Sequence, residues 1–141
     1  NVFGPMQAVG HAYAAVVPAF VSAALEGRPL PVHGDGTQSR DFTYVGTVAE
    51  VIATAVVQQV SHDVPVNLAF GTRTSLLEVI GLMEDILGHS VERDHQPRRA
   101  GDVDHTQADN SLLQSLFPDV TPVELRDGLE RTIDWYRTAL S

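Results

Sequence analysis

Two stretches of the sequence concentrate groups able to hold charge. Gly34-Asp35-Gly36-Thr37-Gln38-Ser39-Arg40-Asp41-Phe42 brings an arginine next to an aromatic out of a glycine-rich turn. A guanidinium placed there offers a forked pair of donors to a phosphate; the plainer reading is a loop with a solvated arginine. Arg98-Arg99-Ala100-Gly101-Asp102 sets two guanidinium groups and a carboxylate in a glycine-relaxed loop, which is either an anion site or a self-neutralising surface cluster. Asp35 lacks the further carboxylates and terminal Glu of a calcium loop. Asp102, Asp104 and His105 form one compact polar patch with no second His at helical spacing, a poor metal-ligand set. His33 stands between an apolar run and the glycine turn, where a flat ring either stacks on a base or caps a strand. His11, His62, His89 and His95 read as surface or loop residues. No G-x-S-x-G nucleophile elbow occurs, so hydrolase chemistry has no support.

The elements that must position these groups alternate helical periodicity with short extended runs, an α/β pattern. Pro18 fits the first turn of a helix carrying Phe20, Val21, Ala24 and Leu25 and stopping at Gly27. Leu30 to His33 and Asp41 to Val45 read as extended segments. Thr47 and Glu50 have capping-box spacing and predict a helix to about Val60, followed by a buried strand over Val64 to Phe70. Ser75 and Glu78 repeat the box, ahead of Leu76, Ile80, Met83 and Leu87, and Gly88 ends that helix. Val91 to Arg93 predict a short strand and Leu112 to Leu116 a brief helix. Thr121-Pro122-Val123-Glu124 combine N-cap, first-turn proline and capping box, opening a last helix with Leu125, Leu129, Ile133 and Tyr136 inward.

With 141 residues, 43% hydrophobic and 19% charged, the chain has room for one core that buries roughly 70% of its unfolded surface. A net charge of −9 argues against nucleic-acid or anionic-membrane partners. The chain has no Cys, which excludes thiol chemistry and leaves the redox compartment open, with the cytoplasm as the default expectation. All nine basic residues are Arg, so no lysine chemistry can come from this chain. The apolar run from Ala12 to Leu25 is broken by Pro18 and Ser22 and falls short of the about 20 residues that span a bilayer. Nothing near Asn1 resembles a targeting signal, and Asn1 reads as interior to a longer protein.

Taken in order, Asn1-Val2-Phe3-Gly4-Pro5, Val17-Pro18, the run Gly34 to Val45, Asn67 to Ser75, Arg99-Ala100-Gly101-Asp102 and the terminal Trp135-Tyr136 resemble one family over essentially the whole chain. It is the NAD-dependent epimerase/dehydratase family, the extended short-chain dehydrogenases of nucleotide sugars, with the UDP-glucose 4-epimerases its nearest branch. The resemblance implies a small α/β C-terminal substrate-binding domain, residues 1–141, with the Rossmann half absent from this chain. It implies that Arg40 and Arg99 clamp the substrate diphosphate, that Asp102 holds ribose hydroxyls and that Asn1 reaches the sugar or phosphate. It also places the backbone near Val16 along the diphosphate, and His33 where the family usually has Tyr or Phe against the base. Met6 stands where a basic residue is usual, and Gly46-Thr47 replaces the usual acid after Tyr-Val.

The implied partners are a nucleotide-diphosphate sugar and a Rossmann domain. NAD is expected in the parent enzyme and none on this chain, which contains neither G-x-x-G-x-x-G nor Tyr-x-x-x-Lys. The chain would then position the sugar for hydride transfer and catalyse nothing alone. A non-catalytic binding or protein-interaction remnant is the alternative, and a sugar-nucleotide 4,6-dehydratase the alternative within the family. Without its partner domain, the helix expected over residues 47–60 is left with an apolar face open to self-association.

Overall fold

The computed structural model describes residues 1–8, 15–99 and 101–139; His11, Ala100 and the start of the apolar run at Ala12 lie outside them. Eleven elements follow in chain order: β1 (Val2–Phe3), α1 (Val16–Leu25), β2 (Leu30–His33), β3 (Ser39–Arg40), β4 (Thr43–Tyr44), α2 (Val45–Val57), β5 (Thr74–Ser75), α3 (Leu76–Leu87), β6 (Arg93–Gln96), α4 (Ser111–Leu116) and α5 (Leu125–Ala139). The strands form three separate pairs: β1 parallel to β4, β2 parallel to β6, and β3 antiparallel to β5. The α/β expectation therefore stands, with short ladders in place of one broad sheet.

One apolar core joins α1, α3 and α5 to β1, β2 and β4. Phe3, Phe20, Leu30, Ile80, Met83, Leu129 and Ile133 are all essentially inaccessible in it. The predicted inward stripe of α5 is realised at Leu129, Ile133 and Tyr136. Tyr136 donates its hydroxyl to the Gln7 carbonyl, tying the last helix to the first residues of the chain; its burial raises the phenol above its ordinary range. Tyr44 sits in a cradle of two glycines. A β-carbon added at Gly46 would lie 2.6 Å from the Tyr44 ring, and one at Gly128 would lie 2.8 Å from Phe3 and 3.0 Å from Tyr44.

A second, smaller cluster gathers Val51, Leu113 and Phe117 between α2 and α4. Around it Ile52, Val56, Val57 and Val64 stay exposed.

Local signals hold where no tertiary contact competes with them. Ser75 caps α3: its hydroxyl accepts from the Glu78 N–H at 3.2 Å, and its own N–H donates to the Glu78 carboxylate at 2.7 Å. Gly88 ends that helix in the left-handed conformation at φ 78°. The box expected at Thr47 does not form. α2 starts at Val45, and Thr47, fully buried, accepts the Val123 N–H at 3.0 Å instead. The last helix also starts later than expected: α5 begins at Leu125, beyond the Thr121 to Glu124 signature. Residues 64–70, expected as a buried strand, join no ladder among the described residues, and Val64 is 53% exposed. The strand expected at Val91 to Arg93 lies two residues further on, where Arg93–Gln96 pair with Leu30–His33. That segment is polar and mostly exposed, so its backbone ladder leaves no apolar alternation to read.

Candidate functional site

A cavity of about 420 Å³ opens where the start of α1, β1, β2, β3, Arg99 and residues 101–102 converge. Each element has a local reason to be there. Asp35 accepts the Thr37 N–H at 2.9 Å and the Thr37 hydroxyl at 2.7 Å, closing the glycine turn between β2 and β3 and holding its own carboxyl below the ordinary range. Asp41, 5% exposed, accepts from the Gly71 N–H at 2.9 Å and the Thr72 hydroxyl at 2.8 Å, so the end of β3 is anchored to the segment leading into β5. A buried carboxylate placed in this way is satisfied by neutral donors.

All six residues singled out from the sequence, Asn1, Val16, His33, Arg40, Arg99 and Asp102, line this one cavity. His33, at the end of β2, meets the Pro97 carbonyl through Nδ1 at 3.2 Å. Arg40 is already engaged. Its Nη1 donates to the Ser39 carbonyl at 2.8 Å and the Asp104 carbonyl at 3.4 Å, and its Nη2 is paired with Asp102. Arg98 pairs with Asp104 away from the cavity, so the arginine doublet divides its work. Arg99 takes no side-chain partner among the described residues, which makes it the guanidinium open to an incoming anion. The compact patch Asp102, Asp104 and His105 is pulled apart, the three side chains going to Arg40, Arg98 and Ser39 respectively.

Gln38 and Phe20, which had no role from the sequence, also line the cavity, as does Phe42, the aromatic beside Arg40. Gln38, 7% exposed, donates Nε2 to the His33 carbonyl at 2.6 Å, bracing the strand end that carries the ring. A polar residue between a glycine turn and an arginine was the available signal. Phe20 and Phe42 supply an apolar wall, and Phe20 is indistinguishable in sequence from an ordinary core residue.

A concave space with an apolar wall, a planar ring at one end and guanidinium groups at the other suits an amphipathic, anion-bearing ligand. The lining contains no glycine-rich strand-to-helix turn of the kind that receives NAD. Among the described residues no helix is long and apolar enough to cross a membrane.

Comparison with known proteins places this architecture. The sequence profile of the NAD dependent epimerase/dehydratase family matches residues 1–69, and the chain belongs to that family. Over 94% of its length it is 32% identical to an uncharacterized UDP-glucose epimerase of Bacillus subtilis, covering 41% of that protein. A UDP-N-acetyl-alpha-D-glucosaminuronate decarboxylase of Bacillus cytotoxicus is 30% identical over 97% of this chain and 44% of its own. The fold superposes with a TM-score of 0.89 and 32% identity on the UDP-N-acetylglucosamine 4-epimerase of Methanobrevibacter ruminantium M1, solved in complex with UDP-N-acetylmuramic acid, over 99% of this chain and 44% of that one. The chain thus spans rather under half the length of these relatives and corresponds to the C-terminal part of epimerase structures.

Proposed function

We propose that this chain is the nucleotide-sugar grip of an NAD-dependent epimerase of the UDP-glucose 4-epimerase kind. The observation that carries the reading is the convergence of Asn1, Val16, His33, Arg40, Arg99 and Asp102 on one cavity. In this reading the His33 ring meets the base, and Arg99 takes the diphosphate first. The anion then competes with Asp102 for Arg40, and a carboxylate released in this way can accept ribose hydroxyls. Asn1 reaches toward the sugar, and the backbone at Val16 runs along the diphosphate. The chain contributes placement: it holds the diphosphate so that the sugar's reacting carbon meets a nicotinamide supplied elsewhere in the protein. NAD, when bound there, supplies the hydride acceptor. Epimerase and decarboxylase relatives both align over this stretch, in keeping with a shared task of gripping rather than reacting.

The test is calorimetry with a UDP-sugar on the intact protein. Arg40→Glu and Arg99→Glu are each expected to lower affinity by at least roughly a hundredfold, since a reversed charge loses a charge-assisted bond and adds repulsion. Arg137→Glu, on the solvent side of α5 beside Asp134, should leave it unchanged. Affinity should also fall with added salt. Equal affinities in all three variants would remove the clamp.

A further inference from the structure

We propose that His105, acting through Ser39, is a positioning residue that keeps Arg99 and Asp102 over the cavity; this rests on reading the cavity as a nucleotide-sugar grip. Ser39 is 3% exposed and immediately precedes Arg40 in β3. Its N–H donates to the Asp104 carbonyl at 2.9 Å, and its own carbonyl accepts from the Thr106 N–H at 3.1 Å. Its hydroxyl accepts from Arg73 Nε at 3.0 Å and lies 2.8 Å from His105 Nδ1. Arg73 can only donate and so takes one lone pair of the hydroxyl, leaving its proton or its second lone pair for Nδ1 according to the ring tautomer. One serine thereby joins the strand of Arg40, the approach to β5 and the turn that carries Arg99 and Asp102.

The turn has a second set of ties to β3, from Arg40 to Asp102 and from Arg40 to the Asp104 carbonyl. Those use the guanidinium that the diphosphate is to engage. An anion that draws Arg40 toward itself weakens them at the moment when Arg99 must stay in place. Apart from the Arg40 bond to the Ser39 carbonyl, the Ser39 contacts use no group that meets the ligand, so they persist through binding. His105 supplies the side-chain tie from Ser39 to the turn, beside the two backbone bonds. Its ring is held by the buried hydroxyl while the residue itself is exposed, so it can be changed without opening the core.

The experiment is a UDP titration of the intact protein with His105→Ala, His105→Asn and Arg99→Ala, singly and with His105→Ala combined with Arg99→Ala. Removing the imidazole should weaken UDP binding roughly 3- to 10-fold, the worth of one neutral hydrogen bond. His105→Asn, which can present an amide oxygen near the Nδ1 position, should recover most of that loss. In the Arg99→Ala background His105→Ala should cost clearly less than it does in the wild type, because one of the two side chains it places is already gone. Hydrogen exchange at the Thr106 amide, measured without UDP, should accelerate in His105→Ala and return in His105→Asn. Unchanged UDP affinity in His105→Ala, or the same loss in both backgrounds, would overturn the positioning role while leaving the grip intact. A wild-type protein with no affinity for UDP would overturn the grip and this role with it.

Discussion

The two sides of the molecule treat their apolar residues in opposite ways. Around α1, α3 and α5, large side chains are covered on every side, and Phe20, Ile80 and Leu129 have no measurable exposure. Along α2 and residues 60–68, comparable side chains line an open groove of about 240 Å³, and Ile52, Val56 and Val57 are 56%, 73% and 81% exposed. Monomeric surfaces seldom carry so continuous an apolar strip. The first side is finished by this chain's own residues, whereas the second has the composition of an interior without its cover.

The largest expected effect on that contrast comes from truncating one apolar side chain on each side. Phe20→Ala should cost about 3–5 kcal/mol in denaturant unfolding, whereas Val56→Ala should change stability by no more than about 0.5 kcal/mol. Similar losses at both positions would mean that the α2 face is covered in solution. Sedimentation sharpens the same point. The 141-residue chain is expected either to self-associate in a concentration-dependent way that Ile52→Glu with Val56→Glu abolishes, or to exchange its Asn1 to Ala8 amides rapidly. A uniformly protected monomer would show that the strip needs no cover.

A smaller effect separates the two capping-box signatures. Ser75→Ala should cost about 1 kcal/mol, and Glu50→Ala close to nothing, because Thr47 is engaged with Val123 and leaves Glu50 no cap to complete. The Ser75 hydroxyl and N–H also hold the Glu78 carboxyl below its ordinary range. A carboxyl lowered in the folded state contributes stability above its unfolded value, and that contribution is lost as pH falls through the lowered one. The α3 start should therefore lose support only under acid conditions. Tyr136 behaves in the opposite direction. Burial raises its phenol, so its contribution is complete below the ordinary tyrosine value and fades as pH rises beyond it. Alkaline exchange should loosen Asn1 to Gln7 before the core opens.

These contrasts also explain what was legible in the sequence. Helices α1, α3 and α4 and the inward stripe of α5 were readable because a 3.6-residue apolar period survives whatever packs against it. The start of α2 was not, because a tertiary partner outbid a local cap at Thr47. The segment 64–70 has strand-like residues, yet a strand exists only where another backbone satisfies it, and none of the described residues does. The site was legible in another way. His33, Arg40, Arg99 and Asp102 stood out by residue type and setting, Asn1 and Val16 only through a resemblance, and the fold brings all six to one cavity. What could not be read was the pairing among them: that Arg40 is held by Asp102, that Arg98 faces away, and that His105 belongs with Ser39.

The glycine cradle around Tyr44 bears on how this chain can vary. Gly46 and Gly128 lie on different helices, yet both are kept small by the same ring, with Phe3 closing on Gly128 from the other side. A bulkier residue at Gly46 is tolerable only if Tyr44 shrinks, whereas one at Gly128 must also displace Phe3, whose ring is its nearest neighbour at 2.8 Å. Gly46 and Tyr44 should therefore change together across related sequences, and Gly128 only along with both aromatics. In a mutational library, Tyr44→Leu with Gly46→Ala should survive more often than Gly46→Ala alone, while Tyr44→Leu with Gly128→Ala should gain little over Gly128→Ala.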